Sequence, residues 1–291
     1  MPPELRFPAI RSSAMTRRIA LGIEYDGTGF MGWQAQAHGP SLQRTIEDAL
    51  GFVADAPVEA VCAGRTDAGV HARCQVVHVD VAVERSERAW VLGCNSRLPR
   101  EVALRWVRPV ASDFHARYAA IARRYRYTIL NRSVRPALDA RFVCWERVPL
   151  DLDAMRAGAA ALLGEHDFSA FRTVACQARH PVRTIESLEI HARDERVEIE
   201  IQANAFLHHM VRNIVGALLP VGRGDEPPQW IGDLLAARDR ARGGPTAPAQ
   251  GLCFLGPLFA RRWGLPGEVS TDREREPRRE PAHATEGADD E

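Results

Sequence analysis

The chain has 291 residues, 45% hydrophobic and 26% charged, and its 38 basic side chains balance its 38 acidic ones. This is a globular composition with room for two domains, with no apolar run of transmembrane length and no signal-peptide pattern, so a cytoplasmic address and no membrane partner are expected. Every basic residue is arginine, which rules out a Walker-type phosphate loop, a pyridoxal Schiff base and a lysine nucleophile.

Residues 1–16 carry little pattern and are expected to form a flexible extension, with Met15 a second candidate start. Arg17 to Tyr25 sets Ile19, Leu21, Ile23 and Tyr25 against smaller or polar residues, the alternation of a half-buried strand. Asp26-Gly27-Thr28-Gly29 turns the chain into a glycine-rich loop bearing Phe30 and Trp33. From Ser41, Leu42, Ile46, Ala49, Leu50 and Val53 recur at helical spacing. Strands are predicted over Val58–Ala63 and Gln75–Val83, then a helix from a Ser86 cap to Leu98 and a strand over Val102–Val110. The order β-α-β-β-α-β is the ferredoxin-like one.

The same order follows a second time, without a sequence repeat. A strand is expected over Ile121–Asn131, a helix over Asp151–Leu163, strands over Thr184–His191 and Val197–Asn204, helices over Phe206–Val221 and Gln229–Arg240, and a last strand over Gly251–Phe259. The reading is an α/β (α+β type) protein of two ferredoxin-like halves, 17–115 and 116–263, with mainly antiparallel sheets merged around a cleft. The remainder, 264–291, has nine acids against four arginines, reads as disordered, and is expected to be a dispensable solubilising tail. That leaves 34 arginines against 29 acids in the body, which permits a polyanionic partner.

The loop Gly64-Arg65-Thr66-Asp67-Ala68-Gly69-Val70-His71 joins two of the predicted strands and holds one carboxylate between glycines, two residues from a cation. Its bland reading is a turn, since Asp before a small residue and Gly is ordinary turn chemistry. In Ala205–Leu219, Arg212 is the single formally charged residue and apolar neighbours surround it on the helix wheel. Either it snorkels to solvent or it is buried with a carboxylate, because an unpaired buried guanidinium costs about 3–5 kcal/mol; Asp67 is the attractive partner. Arg124-Tyr125-Arg126-Tyr127 on a strand places the tyrosines on one face and the arginines on the other. Those tyrosines are either core residues or stacking platforms for a base, with Arg117, Arg123 and Arg179 as phosphate contacts. His115 reads more naturally as a structural histidine than as a proton shuttle. The six cysteines lack a C-x-x-C pair and His208-His209 are adjacent rather than spaced i, i+4, so neither a disulfide frame nor a metal site is indicated.

Taken together, Tyr25–Gln34, Ala63–His71, Asp113–Arg117, Ala122–Tyr127 and Asn204–Gly216 resemble, in order and spacing, the motifs of the tRNA pseudouridine synthase A family. The resemblance covers essentially all of Arg17 to Phe259. It implies a homodimer working on uridines 38, 39 and 40 of the tRNA anticodon stem-loop without cofactor or metal. It makes Asp67 the catalytic aspartate and nucleophile, Arg65 the arginine that assists base flipping, Tyr125 the active-site tyrosine and Arg212 the partner of Asp67. Phe114, His115, Ala116, Arg117 and Tyr118, with Ala175, Cys176, Gln177, Ala178 and Arg179, fall on tRNA-contacting segments. Arg73-Cys74, Cys253 and part of 175–179 depart from the family pattern.

Pseudouridine formation breaks the N1–C1′ bond, turns the uracil and forms a C5–C1′ bond. A carboxylate serves as nucleophile toward sugar or base, or as a base at the sugar, and the residues alone leave these open. Arg212 would stabilise the negative carboxylate, Arg65 would fill the space behind an extruded base, and Tyr125 would stack on the uracil and assist removal of the C5 proton. Two readings from other classes stand beside this one. A non-catalytic RNA-binding module would use the same cleft but tolerate loss of Asp67, and a glycosidase would need a second acid that is not evident around Asp67.

Overall fold

The computed structural model describes residues 16–173, 176, 178 and 180–274. Strand β1 (Arg17–Tyr25) leads to helix α1 (Leu42–Ala54), which Ser41 caps by accepting from the Arg44 amide and which buries Leu42, Ile46, Ala49 and Leu50. Strand β2 is only Val61–Cys62, shorter than expected, because the Ala60 amide bonds the Glu47 carboxylate instead of a strand. Strand β3 (His71–Val81) begins four residues earlier than its alternation suggests. Helix α2 (Glu87–Asn95), capped by Ser86, stops short of Leu98. There the Asn95 amide side chain exchanges two hydrogen bonds with the backbone of Leu104 in β4 (Val102–Pro109).

In the second half come β5 (Ala122–Asn131), a short β6 (Cys144–Glu146) absent from the sequence reading, and α3 (Leu152–Ala159), whose cap Asp151 accepts from two amides. A 3-10 turn finishes the expected helix, and a further unanticipated strand, β7 (Gly164–Asp167), follows. Then come β8 (Val182–Arg193), β9 (Arg196–Ala203), α4 (Met210–Arg223), α5 (Trp230–Ala237) and β10 (Leu252–Ala260).

These strands form one mixed, mostly antiparallel sheet in the order β4-β1-β3-β10-β5-β9-β8-β7, with β2 on β3 and β6 on β5. The centre of the sheet is a seam: β10 runs parallel to β3, pairing Cys253 with His71, and antiparallel to β5, pairing Phe254 with Tyr125. Successive residues of β1 and β3 divide between two apolar clusters, as alternation requires. Ile19, Leu21, Val77 and Val79 join the large core with the helices, and Ala20, Cys74 and Val76 join a smaller one with Phe114, Phe259 and Val269.

The segment expected to be disordered from Gly264 onward is, through Glu274, part of the fold. Ser270–Thr271 forms strand β11 on β10, and Leu265 and Val269 are buried. The Glu268 carboxylate accepts from Trp106 Nε1 at 2.9 Å and Arg105 at 3.0 Å. Order here comes from two apolar anchors and one acid, too few to show in a composition rich in Arg, Glu and Pro. The expected flexibility of 1–15 and disorder of 275–291 lie outside the described residues. No helix among the described residues is long and apolar enough to cross a membrane.

Candidate active site

The loop between β2 and β3 is clamped from several sides. The Gln75 amide donates to Gly64 O at 2.5 Å, the Trp33 amide to Thr66 O at 2.9 Å, and the Tyr25 hydroxyl shares a 2.8 Å hydrogen bond with Thr66 Oγ1. Thr66 is therefore buried, and the next residue, Asp67, is left partly exposed with its carboxylate toward Arg212, His208 and His209. The neighbouring loop lies so close that a Cβ on Gly32, whose φ is +92°, would sit 2.8 Å from Thr66 O and 3.1 Å from the Asp67 carbonyl carbon. Only glycine takes that backbone at that distance without strain.

Asp67 meets the start of α4. Arg212 Nη1 lies 3.4 Å from Oδ2 with its side chain only 14% exposed, and its Nε donates to Ala247 O at 2.8 Å. The guanidinium is thus buried and paired rather than snorkelling, as burial without a partner would not be sustained. α4 begins at Met210, four residues later than its apolar pattern suggests, because His209 adopts a left-handed backbone, φ 61° and ψ 6°. That turn swings His208 Nε2 to 3.3 Å from Asp67 Oδ1 and His209 Nε2 to 3.4 Å from Oδ2. Burial lowers the proton affinity of His209 below the usual imidazole value; Asp67 opposes this, and Arg212, His208 and Arg240 reinforce it.

Beneath the loop, Tyr125 of β5 packs against Phe254 with ring centroids 4.9 Å apart and meets Phe206 edge-on at 5.1 Å. Burial first, and the negative charge of Asp67 second, push its phenol far above the usual range, so it stays neutral at physiological pH. Tyr125 is thus a buried ring, 8% exposed, whose hydroxyl keeps its proton. Arg65 is exposed beside Asp67 and has no carboxylate partner among the described residues.

The expected RNA-contacting residues divide sharply. Phe114 and Ala116 are fully buried, Phe114 against Phe259 and Trp263, so they anchor their segment and cannot themselves touch RNA in this conformation. His115 accepts from the amides of Arg117 and Tyr118, a structural role, while Arg117 and Tyr118 face solvent. Cys176 and Ala178 are half-buried against the main core; Ala175, Gln177 and Arg179 lie outside the described residues. Arg123, expected at a phosphate, instead donates to four carbonyls: Ala63 at 3.1 Å, Arg117 at 2.6 Å, Ala120 at 3.3 Å and Asn204 at 2.9 Å. It joins the entry to the Asp67 loop, the 113–118 segment and the 204–212 segment. The histidine contacts to Asp67 and this arginine hub escaped the sequence reading; the adjacent pair His208-His209 was the only visible trace. Five thiols are held protonated by burial, that of Cys144 raised, those of Cys62, Cys74 and Cys94 pushed up to about 12 and that of Cys253 to about 11, so they are not nucleophiles.

A family model described as tRNA pseudouridine synthase matches residues 22–119 and 159–259, more than half of the chain. The chain belongs to the tRNA pseudouridine synthase family. Proteins named tRNA pseudouridine synthase A from Stenotrophomonas maltophilia (strain K279a) and Xylella fastidiosa (strain M12) are each 59% identical to it over 254 residues, 87% of this chain and 99% of the relative. One from Xanthomonas oryzae pv. oryzae (strain PXO99A) is 58% identical over 255 residues, with the same coverage. The matched spans of the family contain Arg65, Asp67, the 114–118 segment and Arg212, whereas Tyr125 falls in the interval between them.

Proposed function

We propose that the protein isomerises uridine to pseudouridine at positions 38, 39 and 40 of the tRNA anticodon stem-loop, with Asp67 as nucleophile. The observation that carries this reading is the Asp67 carboxylate, placed by a clamped loop and paired at 3.4 Å with the buried Arg212, in a chain whose relatives are named for this activity. Asp67 bonds to the uridine as the N1–C1′ bond breaks, the freed uracil turns, C5 bonds to C1′ as the bond to Asp67 breaks and the carboxylate is released, and the C5 proton leaves to solvent. Extruding a stem base costs a few kcal/mol, and the exposed Arg65 guanidinium stands ready to occupy the gap. The Tyr125 ring supplies a stacking face beside Asp67, and Arg117 and Tyr118 supply an exposed cation and ring for the stem-loop. A glycosidase reading lacks support, because the groups around Asp67 are cations and imidazoles rather than a second acid.

The proposal extends to architecture. Two ferredoxin-like halves, 17–115 and 116–263, meet along the β3–β10–β5 seam beneath the cleft. The cytoplasmic protein works as a homodimer, and the segment between β5 and α3 bears five exposed large apolar residues, Val134, Leu138, Phe142, Trp145 and Val148, suited to a second copy.

The test is tritium release from a tRNA transcript labelled at uridine C5, wild type beside Asp67→Asn. Release by the wild type alone, with tRNA binding retained in the variant, is expected. Equal release by both removes Asp67 from the mechanism, and binding without release by either favours the RNA-binding module.

A further inference from the structure

His208 and His209 are consecutive, and on a regular helix consecutive side chains diverge by about 100°. The left-handed backbone of His209 cancels that divergence. The two rings stand 4.2 Å apart, centroid to centroid, and both Nε2 atoms approach the Asp67 carboxylate, at 3.3 and 3.4 Å. One donor atom from each of the three residues lies within 4.8 Å of the other two. Donors around a tetrahedral ion with bonds of about 2.0–2.1 Å stand about 3.3 Å from one another. The two short contacts reach different carboxylate oxygens, Oδ1 from His208 and Oδ2 from His209, so an ion held by both imidazoles and one oxygen requires a rotation of His208, whose side chain is 43% exposed.

The donor set decides the class of ion. Two imidazoles and one carboxylate suit borderline ions such as Zn²⁺, Co²⁺ and Ni²⁺; Mg²⁺ and Ca²⁺ require oxygen cages. Three protein donors on partly exposed side chains make an exchangeable site rather than a closed structural one. Arg212 opposes a cation: its guanidinium contacts Oδ2, which His209 also approaches, and is tethered to Ala247 O, while Oδ1 faces His208. The opposition weakens the site without blocking it.

We propose that Asp67, His208 and His209 form a binding site for a divalent ion of the zinc class, and that this ion and the tRNA exclude each other. An ion on Asp67 occupies the lone pair that attacks the substrate, so it inhibits; this last step rests on the assignment of Asp67 as nucleophile, while the site itself does not.

The experiment is a titration of the purified protein with Co²⁺, read by its visible ligand-field absorption. One ion per chain is expected, displaced by Zn²⁺, with no near-ultraviolet thiolate band. Removing only the partner of a metal ligand weakens binding by about 10- to 100-fold, so His208→Gln and His209→Asn are each expected to weaken it by about 100-fold or more. Asn tolerates the left-handed backbone at position 209, and circular dichroism verifies both folds. His38→Gln, at an exposed loop histidine, leaves the affinity unchanged. Adding the anticodon stem-loop raises the apparent Co²⁺ dissociation constant, and Co²⁺ raises that of the RNA by the same factor. Absence of saturable binding, a thiolate band, unchanged affinity in both histidine variants, or Co²⁺ and RNA binding independently would each overturn the proposal. Tritium release by Asp67→Asn would refute the nucleophile assignment and leave the cobalt result standing, so the two failures are distinguishable.

Discussion

Gly32→Ala is the sharpest test of how Asp67 is placed. The residue is buried, sits at φ +92°, and its new methyl would meet Thr66 O at 2.8 Å, the Ala68 amide nitrogen at 3.0 Å and the Asp67 carbonyl carbon at 3.1 Å. All three are backbone atoms, so no side chain can swing aside. A left-handed conformation costs an L-residue roughly 1–2 kcal/mol, and forcing a methyl into packed surroundings costs about 1–3 kcal/mol. The sum, about 2–5 kcal/mol, corresponds to a Tm lower by about 4–20 °C at about 2–4 °C per kcal/mol. Whatever part of the overlap the Asp67 loop relieves by moving is paid in geometry, and a shift of about 1 Å at a catalytic group costs about 100-fold in rate. The natural control is Gly29→Ala, three residues earlier in the same loop, where an added Cβ meets nothing within 4 Å; it should stay within about 0.5 kcal/mol and keep full activity. Thermal unfolding and tritium release on both variants decide the matter. A fully active Gly32→Ala with unchanged Tm, or equal damage from Gly29→Ala, would refute the account.

Arg123→Met keeps the aliphatic stem but strips donors from four carbonyls, two of them partly buried. At about 1 kcal/mol for each partly buried bond, it is expected to cost about 2–3 kcal/mol in urea unfolding and to lower kcat more than tRNA affinity; an unchanged kcat would remove the hub from the mechanism. His78 is buried, accepts from the Ala116 amide at 3.2 Å, and has its pKa lowered from 6.5 to about 4, by burial first and then by Arg18 and His115. Its folded pKa lies below its unfolded one, so its contribution is fully present above about pH 6.5 and is lost as pH falls to about 4. The loss amounts to up to about 3 kcal/mol. His78→Asn, which retains an acceptor, should lose correspondingly less stability between those two pH values, and parallel losses would contradict the linkage. Truncation after Trp263 removes the buried Leu265 and Val269 together with the Glu268 contacts. It should cost about 3–5 kcal/mol, against less than about 0.5 kcal/mol for truncation after Glu274; equal melting temperatures for the two would show the strap to be inert.

The long alternating strands were legible because one face of each is buried, and the cap Ser86 was legible because its side chain accepts from a helix amide. The Asp67–Arg212 contact was legible because a lone guanidinium among apolar neighbours demands an anion. Other features depend on contacts with no local signature. β2 shrinks because Glu47 takes the Ala60 amide, and β3 lengthens because β10 arrives beside its first residues. The convergence of His208 and His209 on Asp67 hangs on one left-handed residue that helix periodicity does not reveal. Phe114 and Ala116 lie in a motif whose exposed members are Arg117 and Tyr118, since a sequence motif does not separate the residues that anchor a loop from those that project from it.

The position of β10 bears on how the chain matures during synthesis. This strand is near the C-terminal end of the described chain yet occupies the middle of the sheet, pairing Cys253 with His71 and Phe254 with Tyr125. A nascent chain emerging from the ribosome can complete its hairpins and helices, but the β3 edge stays open until residues 252–260 leave the exit tunnel, and contacts so distant in sequence close slowly. Phe254, the ring against which Tyr125 packs, arrives with that same strand. Competence and completion therefore coincide: a product cut short before β10 lacks the strand that joins β3 to β5, and it presents an unpaired edge for chaperones and proteases to recognise.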